Sequence, residues 1–230
     1  MAHRGTNILM IITKQKSGQD ISKMLENKNK IFIVGCGDCA ATCKTGGEGE
    51  VAAMAVFLKK QGITVTGFVT PDVTCAAAQV KAAFAKNKEA LKKSDAILVL
   101  ACGSGAQSVR ENDRLGLDVL PGCESLFAAL IDKDNNFQEV CSSCGECVLD
   151  LTEGICPVTR CSKGLLNGPC GGHNKGKCEV DKNRDCAWVL IYKKMKENGT
   201  LSRLKKRLPP KNYKVSTKPL SVAREAKELT

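Results

Sequence analysis

Fourteen cysteines in 230 residues dominate the chemistry open to this chain, and they fall into two groups. Cys36, Cys39, Cys43, Cys75, Cys102 and Cys123 are spread through the first half. Cys141, Cys144, Cys147, Cys156, Cys161, Cys170, Cys178 and Cys186 crowd the second. Only two histidines, His3 and His173, accompany them, which makes histidine-based hydrolysis and a His-rich zinc enzyme poor fits. In a reducing compartment so many thiols point to metal or redox chemistry rather than to a disulfide frame. Cys36-Gly-Asp-Cys39 has the spacing of a thiol oxidoreductase, but Cys43 adds a third thiol that dithiol exchange does not need. The nearby glycines miss the GxGxxG spacing of a dinucleotide loop. Three close thiolates with a fourth from another loop suit a cubane iron–sulfur cluster. Cys102, in the turn ACGSG, is the expected fourth ligand, with Cys75 in reserve and Cys123 the weakest candidate.

The second group admits two chemistries. Cys141-x2-Cys144-x2-Cys147 is the three-thiolate run of bacterial ferredoxins, and Cys156-Pro157 resembles their remote ligand, although the interval before it is longer than in the short ferredoxin repeat. Tetrahedral zinc also uses four-cysteine sets. A CxxCxxC triplet is less typical of zinc, so iron–sulfur is favoured for at least one site, and eight thiols suffice for two four-ligand sites, one of which can hold zinc. His173, in GGHNKG, reads as a solvated turn residue. Long apolar periods vanish between Cys141 and Ala187, so ligation must supply much of this segment's folding energy.

The elements that position the first group are legible from periodicity. Ile31 to Val34, Ile63 to Val69 and Ala96 to Ala101 read as strands, with Leu117 to Leu120 as a candidate fourth. Helical patterns over Val51 to Leu58 and Ala76 to Lys93 alternate with them, and Asp20 to Asn27 reads as a leading helix. Alternating strands and helices imply an α/β fold, a small open parallel sheet in a three-layer, flavodoxin-like or Rossmann-like arrangement. Its cysteines then lie just past strand carboxyl ends, the rim where such sheets bind ligands. The division expected is an α/β domain over 1–138, an irregular cysteine-rich metal-binding module over 139–198 and a basic, extended tail over 199–230. Trp188, Ile191, Tyr192 and Met195 share one face of a helix closed by Asn198-Gly199.

The net charge of +11 is concentrated in that tail, where twelve Lys/Arg face three Glu between Tyr192 and Thr230. Aromatics make up only 4% of the chain, too few for a nucleic-acid stacking surface, so no nucleic-acid partner is expected. The apolar run Ile8 to Ile12 is too short for a signal core or a membrane span. No membrane span and a cytoplasmic location are therefore expected.

The stretch CSSCGECVLDLTEGICPVTRCSKGLLNGPCGG, continued by GKCEVDKNRDCAWVLIY, resembles the small cysteine-rich accessory subunit (MetV-type) of methylenetetrahydrofolate reductases. The same family also occurs as a C-terminal domain. IVGCGDCAATCKTGGEGEV and ILVLACGSGAQSV resemble its front half, so the likeness spans about residues 10 to 210. The resemblance implies a non-catalytic accessory subunit that passes electrons to a flavin, FMN or FAD, on a barrel-shaped catalytic partner in one-carbon or acetyl-forming metabolism. A further electron-donor subunit or a ferredoxin would supply those electrons. It implies two or three 4Fe-4S clusters, with zinc open at one C-terminal site, and metal ligands Cys36, Cys39, Cys43, Cys102 and the eight cysteines from Cys141 to Cys186. The competing reading is a zinc-structured binding module whose basic tail contacts nucleic acid or an acidic partner.

Overall fold

The computed structural model describes residues 10–221 and divides into two compact units between Phe137 and Gln138. The first unit opens with strand β1 (Met10–Gln15), helix α1 (Gly18–Met24) and strand β2 (Lys30–Val34). Ser17 caps α1 by accepting the Asp20 N–H at 3.1 Å, as an N-cap serine should. A single turn, α2 (Cys39–Thr42), leads into α3 (Glu48–Lys60) and β3 (Thr64–Val69). Then come α4 (Ala77–Lys86), α5 (Lys88–Lys92), β4 (Ala96–Val99), α6 (Gly103–Asn112) and β5 (Asp118–Pro121). The alanine-rich stretch expected as one helix is thus two, broken at Asn87, whose side-chain amide donates back to the Ala83 carbonyl at 2.9 Å.

Strands β2 to β5 form a parallel sheet in the order β3-β2-β4-β5, the α/β fold read from the sequence. Its two central strands are buried on both faces, and alternation divides their side chains. Ile31, Ile33 and Leu98 pack with Ile21 of α1 and Val51 and Leu58 of α3. Phe32, Val34, Ile97 and Val99 face the other way, onto Val80 of α4 and Val109 of α6. Helices on both faces make the three layers and leave the strand carboxyl ends as a common rim.

A second sheet was not expected. Strand β6 (Cys123–Ile131) runs antiparallel to β1 and carries the short β7 (Phe137–Gln138) on its other side. Met10, Ile12 and Ala129 form its buried apolar cluster, and Cys39 and Cys43 pack against them. The apolar run near residue 10 is therefore an edge of sheet. Thr13 of β1 ties it to the loop after α2 through a buried hydroxyl pair with Thr45 at 2.6 Å.

That loop depends on two glycines in close backbone contact. A Cβ on Gly46 would lie 1.8 Å from the Leu100 carbonyl oxygen, and one on Gly35 would lie 2.4 Å from that of Gly46. Gly46→Ala is accordingly expected to destabilise the first unit by about 2–3 kcal/mol, since backbone atoms on both sides must move. Urea unfolding followed by far-UV circular dichroism measures it, and an unchanged midpoint would contradict this packing.

The second unit has little regular structure. A 3₁₀ turn at Leu149–Leu151 and the four-residue helix α7 (Pro157–Arg160) precede α8 (Ala187–Glu197). Its apolar centre is Trp188, Ile191 and Met195, the helix face expected from spacing, and the Trp188 indole N–H donates to the Leu165 carbonyl at 2.8 Å. The basic segment beyond α8 does not simply extend away. Asn167 binds the Leu208 backbone twice, at 2.7 and 3.0 Å, and the Glu146 carboxylate accepts the Asn212 N–H at 2.8 Å. Among the described residues no helix is long and apolar enough to cross a membrane.

Candidate metal centres

The rim of the parallel sheet gathers thiols from three loops, the first two hydrogen-bonded to each other and the third close against the second. After β2, the Gly37 N–H donates to the Pro71 carbonyl at 2.8 Å, in the loop after β3. From that second loop the Thr74 hydroxyl reaches back to the Gly35 carbonyl at 2.6 Å. Thr74 also borders Gly105 in the first turn of α6, since a Cβ there would stand 3.5 Å from it. Cys36 and Cys39 belong to the first loop and the turn it starts, Cys75 follows Thr74, and Cys102 is the N-cap residue of α6. The chain thus brings four thiols from widely separated positions to one end of one sheet.

Electrostatics show that they are neighbours. Burial, foremost, pushes the Cys39 thiol up to about 11, and the negative potential of Asp38, Cys36 and Cys102 adds to it. Cys75 is raised too, first by desolvation and then by Cys102 and Cys36. The potential of Cys102 is thus felt at both Cys39 and Cys75. Packing thiols this way disfavours bare thiolates, a cost that a bound cationic centre would remove. Cysteine thiols are the donor type that iron–sulfur groups use. Side chains are not drawn onto a single point, however: among the described residues no three His, Cys, Asp or Glu are arranged as a metal-binding group.

Cys43 and Cys123 adjoin the second sheet, as Cys39 also does. Cys43 Sγ lies 4.0 Å from the Ile11 carbonyl oxygen of β1. Cys123, the first residue of β6, is 5% exposed and its thiol sits 3.6 Å from the Thr45 carbonyl oxygen. Burial raises it from 9.0 to about 11. At pH 8 its thiolate fraction should be about a hundredfold below that of a free cysteine. In metal-stripped protein, iodoacetamide should accordingly label exposed Cys75 well before Cys123, as read by peptide mass spectrometry; equal rates would contradict the burial. The folded state holds this proton between pH 9.0 and about 11 while the unfolded chain releases it. The Cys123 contribution to stability is thus complete below pH 9 and declines as pH rises toward 11.

In the second unit the eight cysteines sort into two sets. Cys141, Cys144 and Cys147 share an irregular loop. Cys156, the N-cap of α7, accepts the Thr159 N–H at 3.5 Å, and the Thr159 hydroxyl bonds to that of Ser142 at 3.1 Å. This ties the Cys-Pro turn to the CxxCxxC loop. The other four, Cys161, Cys170, Cys178 and Cys186, together wall a cavity of about 20 Å³. Around it Cys170 Sγ is 3.6 Å from a Glu179 carboxylate oxygen and Cys178 Sγ is 3.7 Å from the Ser162 hydroxyl. Backbone N–H groups of Val180 and Asp181, the leading causes, hold the Cys178 thiol below its usual range, as suits a thiolate ligand. Lys163 pairs with Glu179 beside it. His173 also borders this cavity, which spacing alone did not indicate. No curated protein and no solved structure matches the chain. Residues 120–214, which include both of these cysteine sets, match the family model described as methylene-tetrahydrofolate reductase C terminal.

Proposed function

We propose that this chain is the iron–sulfur electron-transfer subunit of a methylenetetrahydrofolate reductase complex and passes electrons to a flavin on the catalytic subunit. The observation that carries the proposal is the convergence of thiols from three adjoining loops on one sheet rim, in a chain whose residues 120–214 match the reductase C-terminal family model. Cys36, Cys39, Cys75 and Cys102 would hold one cluster, with Cys75, which feels both Cys102 and Cys36, in the place expected of Cys43. Cys141, Cys144, Cys147 and Cys156 would hold a second. When bound, such a cluster supplies a one-electron redox centre.

The surrounding residues do the rest of the work at the rim. The bonds donated by the Gly37 N–H and the Thr74 hydroxyl fix the relative height of the first two loops. The N-terminal turn of α6 presents its positive end beside Cys102, which favours negative charge on the thiolates. The Gly103 N–H is held by the Ser125 hydroxyl at 2.8 Å, anchoring that turn to β6.

The Cys161, Cys170, Cys178 and Cys186 set suits zinc better. The four cysteines border one small space, and structural zinc is held by four-cysteine sets; a metal with no redox chemistry there would stabilise the fold around α8.

The role is tested by mixing the reduced, desalted chain with the oxidised flavin-bearing reductase subunit under anaerobic conditions. Bleaching of flavin absorbance in proportion to added chain is the expected result. An unchanged flavin spectrum beside a re-isolated, still reduced chain would overturn it.

A further inference from the structure

A groove of about 1080 Å³ runs along α8 in the second unit, at the upper end of small-molecule pockets. Its lining is largely apolar, and part of that surface is open: Tyr192 is 49% exposed and Leu204 42%. Its rim is cationic, with no carboxylate among the lining residues. One of its cations, Arg203, is already held by Glu153 at 2.9 Å. Lys196, Lys205, Lys206 and Arg207 have no carboxylate partner among the described residues.

The two features together restrict what can fill the groove. A nucleic-acid backbone would meet the cations and leave the apolar floor uncovered. A purely apolar segment would cover the floor and leave four crowded positive charges uncompensated. A peptide segment with leucine or aromatic side chains on one face and Asp or Glu on its flanks satisfies both, as amphipathic helices do in apolar grooves. The groove also shares Pro169, His173 and Trp188 with the cavity walled by Cys161, Cys170, Cys178 and Cys186. An occupant would therefore sit one layer of side chains from a thiol set.

We infer that this groove is the docking site for an acidic amphipathic segment of the flavin-bearing reductase subunit, an inference that rests on the complex proposed above. Affinity between the two full-length subunits, measured anaerobically at several salt concentrations, tests it. Lys205→Glu combined with Lys206→Glu should weaken binding at least about tenfold and flatten its salt dependence. Tyr192→Ser should weaken it at constant salt dependence. Unchanged Trp188 emission and metal content in each variant show that the unit is intact. A carbodiimide, which joins amines to adjacent carboxylates, should link Lys205 or Lys206 to Asp or Glu of the partner.

Full-strength binding by both variants overturns the groove while leaving the complex standing. Failure of the unaltered chain to bind overturns the complex and the groove with it. Carbodiimide links from Lys205 or Lys206 to Glu225 or Glu228 of the same chain would put this chain's own C-terminus in the groove, and so contradict the inference. Oligonucleotide binding that these variants abolish would assign the groove to nucleic acid, with the same consequence.

Discussion

Cys102→Ser should cost the protein roughly four iron and four labile sulfide atoms per chain, the content of one cubane cluster, with little change in the fold of the first unit. The reason is positional. Cys102 is the one thiol whose potential is felt at Cys39, Cys75 and Cys123 alike, and it caps α6 at the centre of the rim. Serine keeps the size and leaves the capping backbone undisturbed, so the unfolding free energy of the metal-free unit should change by less than about 1 kcal/mol. Flavin reduction on the partner should fall with the iron. Cys75→Ser should behave in the same way, whereas Cys43→Ser should keep its iron, because Cys75 stands in its place in the proposed set. Iron and sulfide analysis of the three variants, with thermal melting as the control for folding, separates these outcomes. Full iron in Cys102→Ser would remove Cys102 from the ligand set.

Cys144→Ser has a different expected result, loss of folding in the second unit while the first persists. From residue 138 to 221 only Thr152, Pro157, Ala187, Trp188, Ile191 and Met195 are buried. That apolar centre is too small to offset the conformational entropy of ordering so long a segment, which costs about 1–2 kcal/mol per residue for backbone alone. Structural thiolate sites contribute on the order of 10 kcal/mol of folding free energy, and removing one of four ligands forfeits much of it. Cys144 sits in the loop that Ser142 and Thr159 tie to Cys156, so its loss should release both ends of that tie. Limited proteolysis should then cut between residues 139 and 195 while leaving the α/β unit whole. The single tryptophan, 4% exposed, offers a second readout, because release of α8 would shift its emission to the red. Unchanged protection of residues 139–195 would contradict the claim that ligation carries this fold.

How much of this could be read from the sequence differs between the two units. The parallel sheet was legible because its central strands, IFIV and AILV, are buried on both faces and so are continuously apolar, with helical periods between them. The rim followed from topology once the strands were placed, and with it the neighbourhood of Cys36, Cys39 and Cys102. The β1–β6 sheet was not legible. Its strands are far apart in sequence, and only Met10, Ile12 and Ala129 among their described apolar residues are counted in its buried cluster, so neither carries a strong period. Cys43 packs against that sheet and Cys123 begins its middle strand, which strand periodicity did not reveal. In the second unit, spacing located the α8 stripe but could not sort eight cysteines into sets. The sorting depends on the Thr159–Ser142 bond and on a cavity closed by residues from 161 to 186, neither of which leaves a periodic trace. The hold of Asn167 on Leu208 is equally local, and it is why a segment rich in lysine and proline lies against the module.

The most direct test is the absorption spectrum, with iron, zinc and acid-labile sulfide content, of the full chain isolated without exposure to air. The account predicts a brown protein with broad visible absorption that bleaches on reduction, sulfide matching iron, and zinc retained at about one atom per chain. A colourless protein containing zinc and no labile sulfide would contradict it.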